Sequence, residues 1–293
     1  MISKQTFTYK VVGDCAIKAD VYKQADNSIR PVIVFIHGGA LIGGSRSDAL
    51  IIIEMLANAG YTVVSIDYRL APETKLKNII EDIHDAFCWI REKGRDLFNI
   101  DPNRIGVVGN SAGGYLTLMS GFIINSPPKA LVSIYGYGDI DGSWYSKPDP
   151  FYCLEPLVTE SVARAAVGTH TISEISRPNN RRFFYLYCRQ HGVWPQEVTG
   201  HNPAIEPEAF DPFCPIRNVT TQYQPTLLIH GDKDTDVPYD KSVAMAKKLE
   251  EVGVEHQLLT VLGKGHGFEV SGFADPVVAS ALNKTLAFLK QYV

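Results

Sequence analysis

Residues 104–116 read RIGVVGNSAGGYL: an apolar run ending in a serine, with Gly109 two residues before Ser111 and Gly113 two residues after it. The run over 105–109 predicts a buried strand, and GGYLTLMSGF predicts a helix beginning near 112–114. A turn sharp enough to join them with no loop leaves no room for side chains beside its central residue, hence the glycines. It also lifts the Ser111 hydroxyl above the sheet and aims helix N–H groups at it. A generic glycine turn has the same letters, so the surrounding chain must decide.

Working outward, five other stretches resemble the run before Ser111. PVIVFIH (31–37), TVVSIDY (62–68), ALVSIYG (130–136), TLLIHG (226–231) and HQLLTVL (256–262) are nearly continuous apolar runs, the signature of strands buried on both faces of a parallel sheet. Two earlier stretches, FTYKVV and AIKADVY, alternate in polarity around Gly13-Asp14 and predict a hairpin. Helical spacing falls between the runs, as with Ile80, Ile83, Phe87 and Ile90 within 76–93. Asp275-Pro276 opens the last element as an N-cap followed by proline at the first helical position. Strand–helix alternation predicts a right-handed, doubly wound α/β domain of about eight strands over residues 1–293.

Residues 139–218 break this rhythm. They lack buried-strand runs and carry Pro148, Pro150, Pro156, Pro178, Pro195, Pro203, Pro207, Pro212 and Pro215, with aromatics from Trp144 to Trp194. A structureless loop that long is improbable in a compact domain, so an inserted, partly helical cap subdomain is expected, with RRFFYLYCRQ (181–190) as one helix. Leaving a strand at its C-terminal edge, the cap would lie over the edge where open α/β sheets bind ligands.

Composition narrows the function classes. Apolar residues make up 45% and charged residues 20%, the net charge is −4, and no Lys/Arg run exceeds two residues. These values argue against a nucleic-acid or anionic-membrane surface. No stretch approaches the ~18 apolar residues of a membrane span, and MISKQTFTYKVVGDC has no apolar core of a secretory signal; a cytoplasmic protein is expected. Cys15, Cys88, Cys153, Cys188 and Cys214 are scattered and odd in number, which predicts buried free thiols. Neither His-x-x-x-His nor similar ligand spacing occurs, so no metal and no cofactor is expected. A homodimer is compatible with this composition.

A serine hydroxyl needs a base, and the base an orienting acid. His266, in LGKGHGFEV, follows the last strand at the same sheet edge as Ser111, in a loop loosened by Gly265 and Gly267. His256 sits at the opposite edge, His230 within a strand, His84 mid-helix, and His170, His191 and His201 in the insertion. IHGDKDTDVP (229–238) offers Asp232, Asp234 and Asp236 after the penultimate strand. Their spacing of two cannot choose among them, although Asp234 stands mid-loop. The order Ser…Asp…His is that of α/β-hydrolases. Asp67 is read as a structural turn residue bonded to backbone or Arg69. HGGALIGG (37–44) follows the first long strand, and its glycines let backbone N–H groups approach an oxyanion.

Taken in order, HGGA, DYRLAPE (67–73), GNSAGG (109–114), HGDKDTDVP (230–238) and GHGF (265–268) resemble the hormone-sensitive-lipase-like esterases of the α/β-hydrolase superfamily. The resemblance implies an α/β-hydrolase fold, with Ser111 as nucleophile, Asp234 as acid and His266 as base. It implies Gly38, Gly39 and Ala112 as oxyanion donors. The family has a third glycine and an aspartate where this chain has Ala40 and Asn110, and its N-terminal helical cap segment is missing here. The expected activity is hydrolysis of small, short-acyl carboxylic esters through an acyl-enzyme. The alternatives are an amidase or peptidase on the same residues (acyl-peptide or arylformamide cleavage) and a non-catalytic ligand receptor of the same fold.

Overall fold

The computed structural model describes residues 1–175 and 180–293, so Pro178 of the insertion lies outside the described residues. The described strands form one eight-stranded sheet in the order β1-β2-β4-β3-β5-β6-β7-β8. β1 (Ile2–Val12) and β2 (Cys15–Gln24) are the expected hairpin, turning at Gly13 with φ of 59°. β2 meets β4 (Thr62–Ile66) antiparallel. From there β3 (Arg30–Ile36), β5 (Ile100–Asn110), β6 (Ala130–Ile134), β7 (Thr226–Gly231) and β8 (His256–Val261) continue in parallel.

Strand alternation divides the apolar runs between two cores. Val34, Val64, Val107 and Leu131 face α2 (Leu76–Phe98) and α3 (Ala112–Ile123). Ile33, Phe35, Val63, Val108 and Val132 face α1 (Leu50–Asn58) and the C-terminal helix. Full burial of each such side chain stabilises the fold by roughly 1.5–3 kcal/mol. One run departs from expectation: β8 is only half-buried along most of its length. It forms the sheet's outer edge and has a neighbour on one side only. α2 also runs past the periodic stretch, to Phe98, and stops where Asn99 turns left-handed with φ of 59°.

The insertion folds as short helices between β6 and β7: α4 (Ser143–Ser146), α5 (Glu160–Ala165), α6 (Arg181–His191), α7 (Trp194–Thr199) and α8 (Pro215–Asn218). Its Trp144, Tyr145, Phe184 and Trp194 belong to the same core as the α2–α3 face of the sheet. The chain then resumes with α9 (Asp240–Val252) and α10 (Pro276–Tyr292). Asp275 caps α10 by accepting the Val277 N–H at 2.9 Å. The cysteines are free: Cys15, Cys188 and Cys214 are buried, but Cys88 is half-buried and Cys153 exposed, because Cys153 sits in a short surface turn of the insertion.

Candidate active site

β3, β5, β7 and β8 end at one edge of the sheet, with Ile36 opposite Gly109 and Gly231 opposite Val261. Ser111 occupies the turn between β5 and α3 with φ of 56° and ψ of −123°, a conformation that costs an L-residue energy and is held by its surroundings. The fencing glycines are required by contact. A Cβ at Gly113 would lie 2.0 Å from the Ile36 carbonyl oxygen, and one at Gly109 would lie 2.3 Å from the Gly113 carbonyl oxygen. The Ser111 N–H donates to the Ile134 carbonyl at 2.9 Å, tying the turn to the end of β6.

His266 reaches this serine: Nε2 lies 3.0 Å from Ser111 Oγ, and Nδ1 lies 2.7 Å from Asp234 Oδ2. The loops carrying Asp234 and His266 zip together through the Lys233 N–H, which donates to the Lys264 carbonyl at 2.9 Å. Asp232 accepts the Gly263 N–H at 2.5 Å, so this carboxylate braces the histidine loop. Asp234 Oδ1 accepts the N–H groups of Asp236 and Val237 at 2.8 and 3.0 Å. Burial opposes ionisation of Asp234, yet hydrogen bonds from His230 and His266 prevail and hold its carboxyl well below the usual range. Burial likewise opposes the charged form of His266. The Asp234 hydrogen bond and the charges of Asp236, Asp234 and Glu269 outweigh it and raise its pKa above the ordinary value.

Asp236 is the third member of the loop and serves the cap. Its Oδ1 accepts from Arg189 Nη1 at 2.7 Å and from the Tyr185 hydroxyl, while Oδ2 lies 3.5 Å from His266 Nε2. Arg189 is fully buried, pairs also with Asp149 at 2.5 Å, and lies over the rings of Tyr145 and Tyr152 at 4.9 and 4.7 Å.

The glycine loop after β3 takes left-handed conformations at Gly39, Ala40 and Leu41, with φ of 113°, 56° and 62°. The cap secures it, since Trp194 Nε1 donates to the Ala40 carbonyl at 3.0 Å. Among the described residues nothing accepts the N–H of Gly39 or Ala112. Gly38 differs. Its N–H donates to Asn110 Oδ1 at 3.0 Å, so it is engaged with the side chain at 110 and not open to an oxyanion.

Asp67 is bonded to backbone, as expected, but its charged partner is Arg46 and not Arg69. It accepts the Arg46 N–H at 2.7 Å and pairs with Arg46 Nη1 at 2.5 Å; burial pushes its pKa up to about 7 despite that partner. Arg69 turns instead to α2, where the Asp82 carboxylate takes it in a bidentate pair at 2.7 and 2.8 Å. His230 is packed, as expected, but it also lies 3.2 Å from Asp234. Sequence reasoning missed Arg189, Tyr135 (whose ring lies 4.4 Å from that of His266) and Glu269. Glu269 left one signal, its place three residues after His266. Among the described residues, no group of three or more His, Cys, Asp or Glu side chains is placed to hold a metal ion, and no helix is long and apolar enough to cross a membrane.

A mostly parallel eight-stranded sheet, wound by helices on both faces and turning through Ser111 into α3, defines an α/β-hydrolase. The chain belongs to the BD-FAE family, whose model matches residues 19–249. It is 30% identical over 265 residues to esterase LipC of Mycobacterium tuberculosis, covering 88% of this chain and 58% of LipC. It is 27% identical to the non-reducing polyketide synthase pkbA of Emericella nidulans, over 99% of this chain but 14% of that protein. The chain thus spans little more than half of one curated relative and a small part of the other. An α/β-hydrolase superfamily protein from Enterococcus faecalis has the same fold, with a TM-score of 0.76, 23% identity and 99% coverage of both chains.

Proposed function

We propose that the chain is a serine hydrolase of carboxylic esters, with Ser111 as nucleophile, His266 as base and Asp234 as acid. The observation that carries this reading is the unbroken hydrogen-bonded series Ser111–His266–Asp234, at 3.0 and 2.7 Å, on a strand-to-helix turn. His266 takes the hydroxyl proton as Ser111 attacks the acyl carbonyl, and returns it to the departing alkoxide. Water then enters by the same route and releases the acid. Asp234 fixes the imidazole tautomer and stabilises the imidazolium, and its own position is held by the Asp236 and Val237 N–H groups and by His230. Gly39 and Ala112 supply the oxyanion donors. Gly38 supports that loop through Asn110. Esterase LipC, by its name, supports the ester reading.

The cap's buried aromatic stack closes over the loop at Ala40, and on this ground soluble short-acyl esters are the proposed substrates. A fluorophosphonate should label Ser111 in the wild-type chain and leave Ser111→Ala unlabelled, as read by intact mass and peptide mapping. In a nitrophenyl ester series the same preparation should turn over short acyl groups faster than long ones. An adduct on a different serine would overturn the assignment, and faster long-chain turnover would overturn the substrate class.

A further inference from the structure

Asn110 stands one residue before Ser111, and its side chain reaches three separate elements. Oδ1 accepts the Gly38 N–H at 3.0 Å from the loop after β3. Nδ2 donates to the Tyr135 hydroxyl at 3.2 Å, just beyond β6, and to Glu269 Oε1 at 3.1 Å, on the turn that follows His266. Glu269 is 5% exposed, and among the described residues its Oε2 is buried with no hydrogen-bond partner. The serine strand, the oxyanion loop and the histidine loop therefore meet on one amide.

An amide is suited to this place because it both accepts and donates. Gly38 presents a donor and Glu269 an acceptor. A carboxylate at 110 would satisfy Gly38 and confront Glu269 with a second carboxylate at about hydrogen-bond distance, where the pair holds on to one proton well above the usual carboxylate range. That carboxylate is what the resembled esterases carry at this position.

We propose that Asn110 is a positioning residue that locks the Gly38–Gly39 loop and the His266 loop to the serine strand, and that it is matched to Glu269 so that one member of the pair must be an amide. This inference rests on the proposed roles of Ser111, His266 and Gly39. It assigns Asn110 no contact with substrate. The titratable groups coupled to Glu269 are Tyr135 and His266.

The test is a set of substitutions read by pH. Asn110→Asp should lower kcat with KM nearly unchanged, and the deficit should widen by about tenfold from roughly pH 7 to roughly pH 9 as the shared proton leaves the pair. Asn110→Asp/Glu269→Gln restores one amide facing one carboxylate, and should recover most of the lost kcat with a flat ratio to wild type. Asn110→Ala should lower kcat about tenfold or more at every pH, since neither loop is then tied. A double variant no better than Asn110→Asp, or an Asn110→Asp as active as wild type at high pH, would overturn the matching. In parallel, the His266 imidazole resonances followed by NMR should show a further step between roughly pH 7 and roughly pH 9 in Asn110→Asp, as the shared proton leaves, and lose it in the double variant; absence of that step would overturn the matching too. A wild-type chain that hydrolyses no ester and takes no fluorophosphonate would refute the functional reading, and the imidazole titration would still judge the pair.

Discussion

The sheet edge that carries Ser111 and the insertion packed against its loops, the proposed cap, are built by different physics. At the edge, position comes from backbone: paired strand ends, glycines that allow contact at Ile36 and Gly113, and loops zipped between Lys233 and Lys264. In the cap, position comes from side chains. Short helices, few of them more than two turns long, are held by aromatic stacking of Tyr145 on Trp194 with centroids 4.1 Å apart, and by Arg189 between Asp149 and Asp236. Backbone geometry recurs whenever strands pair and leaves a local signature. A buried ion pair depends on partners brought together only by the fold, 40 and 47 residues apart in the chain.

The contrast is tested hardest at Asp234, the proposed acid. If the edge is a preformed frame, Asp234→Asn should leave fold and stability near wild type while favouring the wrong imidazole tautomer. In a serine protease the equivalent change lowers turnover by about 10⁴, and a loss of that order is expected here in ester hydrolysis. Asp232→Asn, whose side chain accepts the Gly263 N–H and lies 3.7 Å from Lys233 Nζ, should cost far less. A folded Asp234→Asn with near-wild-type turnover, beside a crippled Asp232→Asn, would remove Asp234 from its role.

The cap should fail through stability. Arg189→Met keeps the bulk beneath the tyrosines but leaves Asp149 and Asp236 without their cation. Breaking a buried pair in this way costs about 3–5 kcal/mol, readable as a lower urea midpoint. Because Asp236 also faces His266, turnover should fall as well, by less than for Asp234→Asn. A loss within about 1 kcal/mol of wild type would mean that the aromatic stack alone holds the cap.

The same contrast explains what could be read before the fold was known. The apolar runs, the glycine-fenced serine, the N-cap at Asp275 and the mid-loop place of Asp234 are local patterns, and each corresponds to an observed element or contact. The half-exposed β8 was not legible, because an apolar run does not say whether a strand has one neighbour or two. Asp67 reads as bonded to backbone or to Arg69, the nearest cation in sequence; the backbone bond is there, at the Arg46 N–H, but the paired cation is Arg46, which reaches it from the loop after β3. Asn110 and Glu269 are 159 residues apart, so nothing local joins them. Gly38 was counted as an oxyanion donor by motif, and its N–H is turned to Asn110 by a side chain that the motif does not describe.

The smallest expected effect lies where edge and cap touch, at Asp236. As the proposed base, His266 must be neutral to accept the serine proton, so activity should fall as pH drops through its pKa, and a raised pKa places that acid limb above the ~6.5 of an ordinary histidine. The Asp236 carboxylate contributes to the rise, with Oδ2 3.5 Å from Nε2. Asp236→Asn removes this charge yet keeps an oxygen for Arg189, so the cap should remain seated. At that separation a solvent-screened charge is worth about 1 kcal/mol or less, which moves the acid limb of kcat/KM downward by roughly 0.7 pH unit or less. The plateau at higher pH should change little, since neither the Asp234 bond nor the oxyanion donors are touched. A limb that stays in place or moves upward would show that the cap's charges do not reach His266, and that edge and cap act independently.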